Sequence, residues 1–445
     1  LDIILDKQSN LAVMRSYLDQ LEGVEVVDDY TAVVRWKSTV FVSLANTLGA
    51  TILPRHVYAH DENGEPYPPE TVGQQFNDHW FDRLRVGPIA CGPYRFVEYR
   101  PNQFVRLERW DDWYGFKDQP LYPVRVRHLR IYQESETAMN WLYAGDVDVQ
   151  PMNSTRYREW VLEGDSIGKN PFKDGRIHLF KPEIPVYSYI GWKNSDPLFA
   201  DVRVRKALTY ACNRPEISDR IYLGRMTPMG PPIFPRSEEA DPSLEPYPFD
   251  PARAAALLDE AGWAVDSSTG LRTKVVDGQS LVLDFKIYHP SGIPEYENFL
   301  NLYKNDLLDL GIRMEPQAVQ WAQFQKDLND RKYKAFTLAW ATGGWEHDFK
   351  QIWHSEGIQD PGSSNYIEFN DPEVDRLSDE LRTIMDPERR VEVVHRIGKI
   401  LYERQPYTFL GWRREYRAYW DHVKNAEELY NIRPFWRSFP VWIER

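Results

Sequence analysis

FTLAWATGGWEHDFKQIWHSEGIQDPGSSNYIEF, residues 336–369, is the stretch around which the rest of the chain is organised. It begins as a short apolar strand, Phe336–Trp340, and breaks at Gly343–Gly344. Glycine allows a ligand to approach the backbone closely, and indole rings supply wide apolar contact. A glycine break between Trp340 and Trp345 therefore fits a segment that lines a ligand-binding cleft. A buried strand and loop with core tryptophans explains the same pattern, and the stretch alone leaves both interpretations open.

Length and charge limit the classes of protein that the chain can belong to. A chain of 445 residues is longer than one ordinary hydrophobic core serves, so we expect two or three domains. The net charge of −13 argues against a nucleic-acid partner, because binding a phosphate backbone requires a basic face. The sequence has no apolar run of about 18 residues, the length that a membrane span needs.

The first residues, LDIILDKQSN, lack the charged and apolar regions of a signal peptide. The protein is therefore either cytoplasmic or preceded by a signal upstream of residue 1. The two cysteines, Cys91 and Cys212, are expected to be free and buried, since a chain of this size does not need a disulfide to hold its core.

Strands alternate with helices along most of the chain, which indicates an α/β fold. A strand pair is predicted within 24–36 and a hairpin around Pro101–Asn102. Further strands are predicted at 124–131, 182–195, 281–288, 312–318 and 335–340. Helices are predicted at 135–142, 201–212, 296–310 and 321–329. Aspartate N-caps start helices at four points, three of them followed by proline at the first helical position: Asp201, Asp250, Asp371 and Asp386.

Motifs of the common enzyme classes are absent from the sequence. It contains no phosphate-binding glycine loop, no nucleophile elbow, no HExxH and no CxxC. The densest polar cluster, Glu346, His347, Asp348 and His354, lacks a recognised metal-ligand spacing. We therefore assign no catalytic residue, no metal ligand and no cofactor.

Six segments occur together in an order that resembles the family 5 extracellular solute-binding proteins of ABC transporters, the group of the dipeptide- and oligopeptide-binding proteins. The longest are GPYRFVEYRPNQFVRLERWDDWYG (92–115), DPLFADVRVRKALTYACNRPEI (196–217), PFDPARAAALLDEAGW (248–263) and SSNYIEFNDPEVDRL (363–377). The AGDVDV box (144–149) and the strand ending at Trp340 complete the set. Each motif alone is loose, and the specificity lies in the six together.

The resemblance implies a two-lobed type II periplasmic-binding fold that closes on a ligand between its lobes. The chain would cross between the lobes near 182–188 and 410–414. Residues 1–40 would be the remnant of a small extra domain, 41–184 with 412–445 the first lobe, and 185–411 the second lobe. The family pattern also leads us to expect further N-terminal residues before SYLDQLEGVEVVDD (16–29), so that this chain is N-terminally incomplete.

Two departures from the family pattern affect the expected solute. Peptide binders of the family place an aspartate three residues after the tryptophan that matches Trp340, and this chain has Gly343 there. The dipeptide binders use an arginine after the strand that matches 281–288, and HPSGIPEYE (289–297) has none. Without these charge-assisted anchors, neutral solutes stacked on aromatic rings compete with peptides.

The function predicted is that of the substrate-binding component of an ABC importer, a monomer that closes around a peptide or other small organic nutrient. The alternatives are a carbohydrate-binding member of the family, a solute sensor that signals instead of delivering, and a hydrolase using Glu346 or Asp348. The partner would be a membrane permease, and the location periplasmic or tethered outside a membrane. The residues expected to line the cleft are Trp340, Gly343, Gly344, Trp345, Asn365, Tyr366, Trp192 and Trp353.

Overall fold

The computed structural model describes most of the chain. The described residues are 2–50, 52–79, 89, 91–117, 124–164, 172–181, 183–276, 278–342, 346–360, 362–426 and 442–443. Within them, no helix is long and apolar enough to cross a membrane.

Nineteen strands are found in the described residues, most of them short. They are β1 (Leu21–Asp28), β2 (Thr31–Trp36), β3 (Tyr94–Arg100), β4 (Phe104–Arg109), β5 (Val126–Arg130), β6 (Val149–Pro151), β7 (Ile177–Phe180), β8 (Glu183–Trp192), β9 (Met226–Pro228), β10 (Ala264–Val265), β11 (Arg272–Val276), β12 (Gln279–Val282), β13 (Asp284–Pro290), β14 (Arg313–Val319), β15 (Ala335–Ala341), β16 (Tyr407–Arg414), β17 (Arg417–Trp420), β18 (Val423–Lys424) and β19 (Trp442–Ile443).

The α-helices fall into a set of longer ones and a set of one to two turns. The longer ones are Ser135–Ala144, Val202–Tyr210, Pro251–Glu260, Pro294–Leu308, Trp321–Asn329, Pro372–Thr383 and Pro387–Arg404. The shorter ones are Asp2–Leu5, Ala12–Leu18, Ser43–Gly49, Arg55–Tyr58, Val72–Asn77, Ser154–Tyr157, Arg214–Glu216 and Lys350–Trp353.

Six strands form the largest sheet, in the order β14–β13–β15–β8–β16–β9. β13 runs parallel to both β14 and β15, whereas β8 is antiparallel to its two neighbours, β15 and β16. β8 is therefore an interior strand and is covered on both faces, which explains its apolar sequence YSYIGW. We call this sheet and its helices the second lobe.

Side chains alternate across β8, so the second lobe has a core on each face of its sheet. Ile190 and Trp192 point into one core, with the helices Val202–Tyr210, Pro251–Glu260 and Pro294–Leu308. Tyr187 and Tyr189 point into the other, with the helices Trp321–Asn329, Pro372–Thr383 and Pro387–Arg404. This alternation decides which aromatic residues of the sheet can share a site.

The predicted helix N-caps are present. The side chain of Asp201 accepts a hydrogen bond from the Arg203 N–H, and Asp250 accepts one from Arg253. Asp371 caps Pro372–Thr383, and Asp386 caps Pro387–Arg404. The capping aspartates thus locate the starts of the main helices of the second lobe from sequence alone.

A smaller sheet, β6–β17–β7, and the sheet β3–β4–β5 form the body that we call the first lobe. β7 is followed directly by β8, and β16 is followed directly by β17. The chain therefore passes between the two lobes at residues 180–183 and again at 414–417. The crossings predicted near 182–188 and 410–414 overlap these segments only at one end each, and they stay predictions.

The N-terminal residues form a small unit packed against the second lobe. Asp19 forms ion pairs with Lys350 and Arg382, each at 2.8 Å. The unit extends beyond residue 40, because Ile3 packs with Val57 and Tyr58. The predicted division at 40/41 and the other predicted boundaries stay predictions, but these contacts join at least residues 53–58 to the N-terminal unit.

Three local predictions differ from the structure. The strand predicted at 281–288 is two strands, β12 and β13, because the chain turns out of one sheet and into another at the buried Leu283. The helix predicted to reach Cys212 ends at Tyr210. Both cysteines are free, but Cys91 is exposed, so the expectation of burial was wrong for Cys91 and right for Cys212.

Candidate functional site

A cavity of about 500 Å³ lies between the two lobes, at the level of the two crossings. From the first lobe it is lined by residues that follow β5 and surround β6 and the start of β17. From the second lobe it is lined by residues that follow β13 and β14 and by the end of β16. Its members include Tyr132, Asn153 and Tyr416 on one side and Tyr222, Trp321 and Arg413 on the other.

The position of the cavity follows from the direction of the strands. β13, β14 and β15 are parallel, so their carboxyl ends lie at one edge of the sheet, which is where ligands bind in open α/β sheets. Pro290 and Ser291, at the end of β13, and Trp321, beyond β14, line the cavity. In the sequence, the predicted glycine break follows β15. Gly343, Gly344 and Trp345 themselves lie outside the described residues.

The two lobes touch at the rim of the cavity, and one glycine makes this contact feasible. Gly292 has φ +81°, and a Cβ at this position would lie 2.0 Å from the carbonyl oxygen of Gln133 in the first lobe. The Ser135 N–H points at the Gly292 carbonyl oxygen at 3.5 Å. Any larger residue at 292 would push the lobes apart.

A buried ion pair of the second lobe reaches into the first lobe at the same rim. Arg225 and Glu295 lie 3.5 Å apart, and their side chains are only 8% and 14% exposed. The Glu295 carboxylate accepts hydrogen bonds from the Ser154 N–H at 3.0 Å and from the Ser154 hydroxyl at 2.7 Å. Arg225 donates to the Met152 carbonyl oxygen at 3.0 Å. We call Arg225, Glu295 and Ser154 the interlobe latch.

The latch holds Glu295 in its charged form. Burial by itself would raise the pKa of the Glu295 carboxyl, but the hydrogen bonds from Ser154 and the charge of Arg225 outweigh it and leave the pKa below its ordinary value. The pair is therefore ionised at neutral pH and bridges the lobes as a charge-assisted contact.

Arg413, at the end of β16, is a second arginine in the cavity. Its Nε donates to the Ser188 hydroxyl at 2.5 Å, and its Nη2 donates to the Tyr296 hydroxyl at 3.1 Å. The guanidinium also lies against the ring of Tyr222, 5.8 Å from its centroid. Unlike Arg225, it has no carboxylate within ion-pair distance in the described part of the chain.

Two of the residues predicted to line the cleft, Trp340 and Tyr366, are half-buried and stack on each other. Their ring centroids are 5.8 Å apart and their planes differ by 4°. On its other side Trp340 is parallel to Tyr189, at 6.2 Å. They lie at the cavity edge of the sheet but do not line the cavity. Their role as ligand contacts stays a prediction.

The other three described members of that prediction, Trp192, Trp353 and Asn365, are buried in the structure, and their role as ligand contacts stays a prediction. Trp192 is fully buried on the opposite face of the sheet from Tyr189 and donates from Nε1 to the Thr408 hydroxyl at 3.1 Å. Trp353 is buried against Tyr407, with ring centroids 4.8 Å apart. Large aromatic rings are favourable core fillers, and these are used as such.

Asn365 is fully buried and holds a turn together. Its side-chain oxygen accepts from the Phe369 N–H at 2.9 Å, and its side-chain nitrogen donates to the Phe369 carbonyl oxygen at 2.8 Å. Because the carboxamide is satisfied by backbone groups of its own loop, it has no free group to offer to a solute.

The polar cluster of the aromatic stretch is also structural. His347 lies 2.8 Å from the buried carboxylate of Glu239, and Asp348 pairs with Arg382 at 3.0 Å. Glu346 pairs with Arg390 at 2.6 Å. In the part of the chain that the structure describes, no group of three or more His, Cys, Asp or Glu side chains is placed to hold a metal ion.

Sequence analysis missed the charged residues of the cavity, Arg225, Glu295 and Arg413. Arg225 and Glu295 follow turns and carry no motif. The sequence did contain a signal for Arg413. It follows the apolar run TFLGW at a predicted crossing, and a charged residue at a crossing is expected to lie where the two lobes meet. The family pattern points to charge anchors only after residues 288 and 340, and Arg413 lies outside both segments.

The chain is similar in sequence to known proteins. The model of the family described as bacterial extracellular solute-binding proteins, family 5 Middle, matches residues 2–359. The oligopeptide-binding protein AppA of Bacillus subtilis is 26% identical over 431 residues, which cover 95% of this chain and 73% of that protein. Heme-binding protein A of Haemophilus influenzae is 23% identical, covering 87% of this chain and 64% of that protein.

The fold was compared with solved structures in the same way. The structure of AppA from Bacillus subtilis in complex with a nonapeptide matches with a TM-score of 0.82 and 23% identity, and the match covers all of this chain and 82% of that one. The predicted two-lobed α/β fold of the periplasmic-binding type is thereby confirmed. With most of its length matched by the family model, the chain belongs to the bacterial extracellular solute-binding proteins, family 5.

Proposed function

We propose that the chain is the substrate-binding component of an ABC importer and that it holds a peptide or peptide-like solute in the cavity between its lobes. The observation that carries this proposal is the cavity itself, which is bordered by both lobes at the two strands that connect them. Such a site changes shape when the lobes rotate about these strands, so that solute binding and lobe closure are coupled. The similarity to an oligopeptide-binding protein supports a peptide as the solute.

The interlobe latch would contribute to closure. Arg225 and Glu295 belong to the second lobe, and their hydrogen bonds to Met152 and Ser154 exist only while the lobes touch. These bonds stabilise the closed arrangement relative to an open one, and the solute supplies the remaining free energy. Trp321, which is 48% exposed at the cavity, would supply apolar contact to the solute.

The finer features of the function belong to the same proposal. The protein would bind its solute without changing it chemically, act as a monomer, and hand the solute to a membrane permease. It would work in the periplasm or tethered outside a membrane. The predicted lobes, 41–184 with 412–445 and 185–411, would be the two bodies that rotate. Gly343, Gly344 and Trp345 would complete the solute site at the end of β15.

A binding panel tests the proposal. The purified chain is titrated with short peptides and with neutral oligosaccharides, and its thermal unfolding is followed. A solute at about 100 times its dissociation constant stabilises the folded chain by about 2.7 kcal/mol. Stabilisation by peptides supports the proposal. Stabilisation by oligosaccharides alone would favour the carbohydrate-binding alternative and overturn the choice of peptides.

A variant pair shows whether the cavity is the site. Trp321→Ala removes an exposed ring from the cavity and should weaken peptide binding at least about tenfold, as for a buried aromatic contact. The control is Tyr30→Ala, which removes a ring that is 99% exposed at the turn between β1 and β2. Equal affinity of both variants would place the solute elsewhere.

A further inference from the structure

We propose that the N-terminal unit binds a single-chain aliphatic carboxylate, of the chemical class of the free fatty acids, in a second cavity of the protein. This cavity has a volume of about 430 Å³ and is lined by residues between 3 and 72. It shares no described lining residue with the interlobe cavity. The inference therefore goes beyond the proposed function, and each can fail without the other.

The hydrophobic residues of the N-terminal unit form two separate clusters. Ile4, Leu18 and Leu21 are the buried residues of the first cluster, and Val57 and Tyr58 are those of the second. A small folded unit normally has one contiguous core. Side chains of both clusters line the cavity, among them Leu21 and Tyr58. The cavity therefore interrupts what would otherwise be a single core, and an apolar occupant would join its two parts.

The wall formed by the strand pair β1–β2 is apolar. The register of the pair puts four lining side chains on one face: Leu21, Val24, Val34 and Trp36. Water finds few hydrogen-bond partners against such a wall, and an unfilled apolar cavity destabilises the fold around it. Because binding pockets for small molecules are mostly apolar and of about 300–1,000 Å³, this cavity has the size and the lining of a ligand site.

The indole N–H of this wall is already used within the protein. Trp36 Nε1 donates to the Thr47 hydroxyl at 3.1 Å, and both residues line the cavity. The indole therefore offers its ring, and no hydrogen bond, to an occupant. An alkyl chain fits such a wall, whereas the hydroxyls of a sugar or the amides of a peptide would lose their hydrogen bonds to water there.

One end of the cavity carries a positive charge. Arg55 is the only charged side chain among the described lining residues, and no aspartate or glutamate lines the cavity beside it. Arg55 is exposed, and Ile52, another lining residue, is 94% exposed, so this side of the cavity faces the solvent. A ligand with an apolar body and one anionic end is complementary to this arrangement, because its chain is buried while its carboxylate meets the guanidinium at the mouth.

Calorimetric titration of the full chain tests the inference. The probes are octanoate, decanoate, dodecanoate and decan-1-ol, each kept below the concentration at which it aggregates. Each added methylene group that becomes buried should raise the affinity about fourfold. Decanoate should bind about fivefold more tightly than decan-1-ol, the upper end for an exposed ion pair. The absence of saturable decanoate binding overturns the inference, and so does equal affinity for the acid and the alcohol.

A variant pair shows whether the alkyl chain occupies this cavity. Ala59→Phe adds a ring at a half-buried lining position and should weaken decanoate binding at least about tenfold, because the ring takes the space of the chain. The matched control is Ala264→Phe, on the exposed strand β10 of the second lobe, which should leave the affinity unchanged. Equal affinity of the two variants would place the ligand elsewhere.

A second variant covers the case in which Ala59→Phe does not fold. Arg55→Gln leaves the cavity wall intact and should bind decanoate and decan-1-ol equally. Arg35→Gln is its control, because Arg35 is exposed, pairs with Glu25 and does not line the cavity, so the preference for the acid should remain. An unchanged preference in Arg55→Gln would contradict the inference. Binding to phosphatidylglycerol vesicles without any binding of decanoate would assign the cavity to a membrane surface and likewise overturn it.

Discussion

The interlobe cavity and the aromatic stretch around Trp340 lie at the same edge of the large sheet but are built differently. The aromatic stretch is rich in large rings, and those described are packed on one another or buried in the core, as Trp353 is. The cavity is lined by short connecting segments, and its distinctive residues are two arginines and a glutamate. Aromatic content therefore marks the part of the lobe with the most packing, whereas the site is marked by charges that are not fully compensated.

The largest expected effect tests the core role of Trp353. Trp353→Ala removes a ring that is 2% exposed and packed on Tyr407 and Phe409, so the free energy of unfolding should fall by about 3–5 kcal/mol. Chemical denaturation measures it. Trp321→Ala serves as the comparison and should cost less than about 1 kcal/mol, since its ring is half exposed. Similar losses in both variants would remove the distinction between the two regions.

The next effect concerns the latch. Glu295→Gln keeps the shape of the side chain but leaves Arg225 without a charged partner in a buried place, so stability at neutral pH should fall by about 2 kcal/mol. Affinity for the peptide that binds should also fall, because the closed arrangement loses its interlobe contact. The control is Asp284→Asn, which removes an exposed ion pair with Arg313 and should change neither quantity measurably. If both substitutions behave alike, the latch has no special role.

The pH dependence of the latch follows from the direction of the pKa shift. Because the pKa of Glu295 is lower in the folded chain than the ordinary value of 4.5, its stabilisation is complete above that value and is lost as the pH falls through the folded pKa. The stability difference between wild type and Glu295→Gln should therefore be constant at neutral pH and shrink in acid. Denaturation curves of both chains across this range measure it, and a difference independent of pH would contradict an ionised latch.

The smallest effect separates packing from ligand contact at Trp340. Trp340→Phe keeps an aromatic ring between Tyr189 and Tyr366 and loses the long contact from Nε1 to the Tyr407 hydroxyl, which is 3.4 Å. We expect a loss of about 1 kcal/mol in stability and no change in peptide affinity. A tenfold loss of peptide affinity with unchanged stability would support the interpretation of Trp340 as a ligand contact.

The fold could be predicted to a large extent because its signals are local. Aspartate caps fixed the starts of helices at 202, 251, 372 and 387, and alternating apolar residues fixed the hairpin at 94–109. Where prediction failed, the cause was non-local. Leu281–Tyr288 reads as one strand in the sequence, and the change of sheet at Leu283 depends on strands far away in the chain.

For the candidate site, the sequence predicted a segment but not the cavity residues that the structure shows. The sequence pointed to the segment that follows β15, and that ligand site stays a prediction. Asn365 and Trp192 were assigned to the cleft because of their residue types, yet the first is used by its own turn and the second lies on the opposite face. Residue type alone does not reveal whether the hydrogen-bonding groups or the ring of a side chain already have partners within the protein.

By itself the sequence determined the α/β class, the family and the acidic charge of the chain, since these depend on local patterns and composition. Tertiary structure decided that Arg225 forms an ion pair with Glu295 and that Arg413 is held by the hydroxyls of Ser188 and Tyr296. Arg225 and Glu295 are 70 residues apart and Arg413 and Tyr296 117 apart, so their distances exist only after the lobes have folded and met. The physical reason is that charge compensation is a property of neighbours in space, and no spacing along the chain encodes it.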